Sequence, residues 1–292
     1  MSFNLGKILV VLTAFGCFSA QAAVRIVAAE NMYGDVAKQL GGKLVEVSNI
    51  LNNPNQDPHL FSATPSVARK LTEAQLIVYN GAGYDSWMDK LLAAKPRDKT
   101  EVIKIADLVE APPGANPHLW YKPDTMQIYA KAMADNLSRL DGKNQAFYQQ
   151  QLALFQQNYL QLTSKLVTLQ HKYAGTPVIA TEPVFEYMAE AIGLKMLGRG
   201  LQQSVMNDVE PTPTQLKEVE DLIRTKQVKI MFYNKQVINP LTKQLQSLAK
   251  QANIPVVGVT ETLPEKMNYL DWMIDQLTSL EQALQYADNT TS

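Results

Sequence analysis

Cysteine is almost absent from the 292-residue chain, which has only Cys17. That residue lies in the opening segment MSFNLGKILVVLTAFGCFSAQA. There Lys7 precedes an apolar run from Ile8 to Phe18, and Ala20 and Ala22 stand in an Ala-x-Ala arrangement. This is the pattern of a secretory signal peptide cleaved after Ala22. A chain exported without a thiol has neither disulfides nor a sulfur ligand for a metal. The alternative, lipid attachment at Cys17, fits the preceding Ala14-Phe15-Gly16 less well. Charge of one sign is also lacking. The net charge is −1 and the pI about 6.3, without the basic excess that nucleic-acid binding needs. Beyond the opening segment no apolar run is long enough to span a bilayer. What remains is 46% apolar and 19% charged. That composition belongs to a globular chain, at a length that suits two domains.

Short β-branched runs alternate with helical patterns. VRIVAAE (24–30), KLVEVSNIL (43–51), AQLIVYNG (74–81) and EVIKIAD (101–107) read as strands, with helices over 33–40, 65–72 and 84–94. A second block repeats the alternation, with strands TPVIATE (176–182), VKIMFYN (228–234) and IPVVGVT (254–260) and helices over 183–192, 212–225 and 240–252. This predicts an α/β fold of two lobes, each a mostly parallel sheet flanked by helices. Between the blocks, Tyr148, Leu152, Phe155, Tyr159, Leu162, Leu166, Leu169 and Tyr173 recur at alternating steps of four and three. That spacing makes one apolar stripe on a single helix over 143–173, on the order of 40 Å long. The stripe suits a rigid spine packed on both lobes, and a coiled-coil dimer is the alternative.

The three histidines are His59, His118 and His171. His59 and His118 share a setting, Pro-His-Leu-Phe and Pro-His-Leu-Trp, in loops stiffened by proline. His171 falls off the helix stripe and reads as exposed. In the second block Glu182 ends the strand PVIATE and Glu261 follows PVVGVT. Ligands of open α/β sheets bind at the carboxyl ends of strands. If the two edges face each other, two imidazoles and two carboxylates converge in a divalent-metal site. The bland alternatives are a carboxylate favoured by a helix N-terminus for Glu182 and a solvated loop residue for Glu261.

The stretches DPHLFSATPSVARKLTEAQLIVYNGAGYDSWMDKLL, NPHLWYKPDTMQIYAKAMADNL, TEPVFEYMAEAIGL and DVEPTPTQLKEVEDLI together resemble the metal-specific solute-binding proteins of bacterial ABC importers, which deliver zinc, manganese or iron. The resemblance implies two α/β lobes joined by one long helix. It also implies metal ligands at His59, His118 and Glu182, the last three residues before Phe185, and at the acidic residue after the last strand, Glu261. Zinc-type members usually carry His at the third position and a long His-rich acidic loop; this chain has Glu and no such loop. Asp85 in GYDSW stands where many members have Glu, and the usual acidic residue after the FYN strand is missing. The layout expected is a signal peptide over 1–22, an N-terminal metal-binding lobe over 23–142, a linking helix over 143–174 and a C-terminal metal-binding lobe over 175–292. The oxygen-rich donor set favours manganese or ferrous iron as cargo, with zinc possible. The chain is expected to be a periplasmic monomer that hands its metal to a membrane permease and catalyses nothing. The competing readings are a periplasmic metal-dependent hydrolase, which needs an open coordination position and a base, and an adhesin stapled by metal.

Overall fold

The computed structural model describes residues 23–55, 57–94 and 100–291, with the side chains of His59 and Thr291 outside that description. The predicted signal peptide and Cys17 fall outside it as well. In chain order the elements are β1 Val24–Glu30, α1 Asn31–Gly41, β2 Val45–Leu51, α2 Pro65–Glu73, β3 Leu76–Tyr79, α3 Ser86–Ala93, β4 Glu101–Lys104, α4 Ile105–Leu108 and α5 Thr125–Leu140. The long helix α6, Gln145–Tyr173, follows. The second half then runs β5 Pro177–Ala180, α7 Glu186–Ile192, β6 Lys195–Leu197, α8 Arg199–Met206, α9 Pro213–Arg224, β7 Ile230–Asn234, α10 Pro240–Gln251, β8 Val256–Val259 and α11 Tyr269–Thr291.

Each half builds one four-stranded parallel sheet, in the order β2-β1-β3-β4 and β6-β5-β7-β8. The expected two-lobed α/β class is therefore the fold. The two orders are the same winding, so each sheet reverses direction between its first and third strands. Crevices for ligands open at such reversal points, beyond the carboxyl ends of the strands. Glu30 and Asn80 lie there in the first lobe, and Thr181 and Asn234 in the second.

Several predicted strands were too long at their ends. EVIKIAD turns helical at Ile105, and AQLIVYNG stops at Tyr79. Gly81 then takes φ +74°, a conformation that favours glycine. A Cβ there would meet Lys104 Cε at 2.7 Å. The strand β6 and the helices α5, α8 and α11 were not read from the pattern. Three residues are too few for β6 to carry a period.

All eight residues of the apolar stripe are buried on α6. The helix packs against α1 and α5 of the first lobe and α7 and α11 of the second. The stripe is thus spent inside the chain, which removes the coiled-coil alternative. His171 is exposed, as expected.

Side chains also stitch the lobes directly. Asn31 donates to the Leu263 carbonyl at 2.8 Å and accepts from its N–H at 2.9 Å. Tyr121 donates to the Thr260 carbonyl at 2.7 Å, and Tyr187 donates to the Asn116 carbonyl at 2.9 Å. Each such bond contributes about 0.5–1.5 kcal/mol, and breaking a buried one without a substitute costs more. Wide opening would break them together and bend the spine. Solution scattering with and without metal should therefore show only small lobe shifts. A rotation of tens of degrees would contradict this account.

Candidate metal centre

His118 reaches the site from the loop between α4 and α5. It is 1% exposed, and its backbone N–H donates to Asn116 Oδ1 at 3.0 Å. Its ring Nδ1 lies 2.6 Å from the same oxygen. The Asn116 amide nitrogen donates to the Pro183 carbonyl at 2.7 Å and to Glu186 Oε2 at 3.0 Å. Those bonds fix the amide so that Oδ1 faces the imidazole. An amide oxygen only accepts, so Nδ1 carries a proton, and in the neutral ring the lone pair is on Nε2. Nε2 accepts no hydrogen bond among the described residues. It points across the lobe boundary and lies 3.5 Å from Glu261 Oε2. A metal-ligating histidine is normally oriented through its other ring nitrogen in this way.

Glu261 is fully buried in the loop after β8. Its Oε2 accepts from the Tyr84 hydroxyl at 2.9 Å, and its Oε1 accepts from Asn234 Nδ2. Its backbone N–H donates to Gln236 Oε1 at 2.6 Å. Burial, and after it the Glu261 charge, hold the Tyr84 hydroxyl well above its usual pKa, so it stays a donor. Glu182, 5% exposed, follows β5, and its Oε2 accepts from the same Asn234 nitrogen at 2.8 Å.

Three of the four predicted residues are thus brought together: His118 touches Glu261, and Glu261 shares a donor with Glu182. Among the described residues no three His, Cys, Asp or Glu side chains form a group that could hold a metal ion. His59 sits on the 3₁₀ turn Pro58–Leu60 after β2. The neighbouring Asp57 lines a cavity of about 350 Å³ together with Glu182, Asp208 and Glu210. The loop that carries His59 and Glu182 thus border the same opening.

Trp120 lies edge-on to Tyr84 and His118, with ring centroids 4.9 and 5.4 Å away. It is wholly buried and walls the site from the core side. Phe61 instead packs on Trp87 at 4.8 Å. Sequence reasoning missed Asn116, Asn234 and Tyr84. Asn116, two residues before a candidate ligand, was legible as an orienting side chain; Tyr84 and Asn234 lie in the GYDSW and FYN motifs, where neither was read as a site residue.

Two lobes of like topology on one helix, with His118, Glu182 and Glu261 meeting between them, define a two-lobed binding protein. Residues 26–283 match the family model ZnuA, zinc-uptake complex component A, periplasmic, and the chain belongs to that family of metal-binding substrate-binding components of ABC importers. Such components work with a membrane permease and are not enzymes. The chain is 26% identical over 253 residues to the manganese ABC transporter substrate-binding lipoprotein PsaA of Streptococcus pneumoniae, covering 82% of this chain and 79% of that one. It is 25% identical over 256 residues to the metal ABC transporter substrate-binding lipoprotein FimA of Streptococcus parasanguinis, covering 81% and 79%. Among solved structures, the periplasmic zinc-binding protein TroA of Treponema pallidum shares the fold, with a TM-score of 0.77 at 17% identity over 90% of this chain and 99% of that one. The laminin-binding protein Lmb of Streptococcus agalactiae does so with a TM-score of 0.76 at 24% identity, over 90% and 100%.

Behind Tyr84 lies a second acidic pair that sequence reasoning did not notice. Glu30, fully buried at the end of β1, has its pKa raised well above the usual carboxylate value, by burial first and by the Asp85 charge second. Asp85 is pushed up to about 6 by burial, although it accepts from the Asn80 and Gly81 N–H groups at 2.7 Å each. Carboxyls raised in the folded chain hold protons that the unfolded chain has already released. Stability therefore falls as pH rises from about 4, the unfolded value, through the folded values. Glu30→Gln should flatten this slope: its melting temperature should exceed the parent's near pH 8, the gap closing toward about pH 4. Parallel melting curves across that range would refute the assignment.

Proposed function

We propose that His59, His118, Glu182 and Glu261 bind one divalent transition metal between the lobes, and that the loaded protein delivers it to its permease. The observation that carries this reading is the His118 imidazole, with its Nδ1 held by Asn116 and its Nε2 3.5 Å from a buried carboxylate of the opposite lobe. Burial of a carboxylate such as Glu261 costs several kcal/mol unless it is compensated, and a divalent cation supplies that compensation. Two carboxylates balance its charge, and two neutral imidazoles complete the donor set.

Manganese or ferrous iron is the favoured cargo, because two oxygen donors make a harder site than one carboxylate among three imidazoles. The manganese transporter named among the streptococcal relatives agrees with this. The family model's zinc-uptake description and the zinc-binding TroA weigh the other way. Zinc is the stronger binder in the general affinity order, so it competes for the site.

The protein acts on the outer side of the cytoplasmic membrane, as a monomer. The relatives named lipoproteins argue against setting aside lipid attachment at Cys17, and the N-terminal segment is read as either a cleaved signal peptide or a lipid anchor.

Two measurements test this proposal. Replacing both His59 and His118 by alanine should weaken binding of manganese and zinc by more than the roughly 10–100-fold cost of losing an outer hydrogen-bond partner. Unchanged metal content by elemental analysis would overturn the site. Glu182→His should raise the zinc-to-manganese affinity ratio, since imidazole suits zinc and carboxylate suits manganese. A ratio that stays put or falls would overturn the argument from donor hardness.

A further inference from the structure

The carboxylates of Glu182 and Glu261 come from different loops, after β5 and after β8. They share one donor, the side-chain nitrogen of Asn234 at the end of β7, 2.8 Å from Glu182 Oε2 and also bonded to Glu261 Oε1. Asn234 is 2% exposed. Its orientation is not free. Its Oδ1 accepts from the Gln236 N–H at 3.0 Å, so its NH₂ group must face the two acids. Gln236 in turn holds the backbone N–H groups of Glu261 and Thr262 through its own Oε1, at 2.6 and 3.2 Å. The β7 end is thus a bracket for both acidic loops. It stands at the reversal point of the second sheet, where the strand order directs a ligand.

Two like charges this close repel each other unless something lies between them. A lysine or arginine would neutralise them, and the site would lose its match to a divalent cation. An amide offers two N–H donors and no charge. It can tie one oxygen of each carboxylate and leave the pair's charge intact.

We propose that Asn234 is a positioning residue for cation capture, its single amide nitrogen setting the separation and facing of the Glu182 and Glu261 carboxylates. This rests on the ligand set proposed above. Asn234 does not touch the cation; it acts through the two acids that do.

The test compares the full-length protein with Asn234→Leu, which is similar in size and has no donor, and Asn234→Asp, which keeps the shape and turns the donor into an acceptor. Affinity for manganese and zinc is measured against a competing chelator. Coordination is read from the visible absorption of the cobalt(II) form, and folding from the melting temperature without metal. Both variants should melt cooperatively, bind both metals about 10–100-fold more weakly, and shift the cobalt spectrum, as loss of an outer partner of metal ligands does. A lower melting temperature with unchanged affinities and an unchanged spectrum would show that Asn234 only packs, and would overturn the proposal. So would Asn234→Asp binding as tightly as the parent, which also decides the matter if Asn234→Leu does not fold. Failure of the parent itself to bind manganese, zinc or cobalt would instead sink the metal-capture reading, and this inference with it.

Discussion

A buried imidazole nitrogen that faces a buried carboxylate across a lobe boundary is costly for a protein to keep. His118 Nε2 and Glu261 Oε2, 3.5 Å apart, form that contact here, and most of the surrounding structure serves to hold it. Neither group can turn away. Asn116 fixes the imidazole through its other nitrogen, and Tyr84 and Asn234 each engage one oxygen of the carboxylate. Asn116, Tyr84 and Asn234 are uncharged side chains, and each orients an atom of the candidate site.

The contact also depends on the lobes keeping their relative position. A helix with eight buried residues along one face, packed on elements of both lobes, resists bending in a way that extended linkers do not. Hydrogen bonds from Asn31, Asn116 and Tyr121 cross the same boundary close to the site. The architecture favours capture by small loop and side-chain movements over closure of a wide cleft.

The two sheets share one winding, and this has a local consequence. The third strand of each lobe in sequence ends in an asparagine, Asn80 after β3 and Asn234 at the end of β7. Both side chains are buried, and both brace the part of the site that their own lobe contributes. Asn80 donates to the Pro117 carbonyl at 2.8 Å beneath the His118 loop, while Asn234 donates to the two acids. The lobes show no close sequence repeat, yet the topology puts the same kind of side chain at the same structural position.

The spacing of residues alone determined the parallel-strand alternation, the α6 stripe down to its eight residues, and the Pro-His loops, because period, proline and β-branching act locally. Glu182 and Glu261 were legible as strand-end carboxylates, though nothing in the sequence said that they would face His118. The short β6 and the helix α11, which buries Trp272 and Leu277 against the rest of the core, escaped the pattern. Only the tertiary structure decided which neutral groups hold the atoms of the candidate site. Tyr84 lies 177 positions from Glu261, and Asn234 lies 52 from Glu182. Hydrogen bonds over such separations are set by how the sheets wind and how the lobes dock, and no local pattern in the chain encodes either.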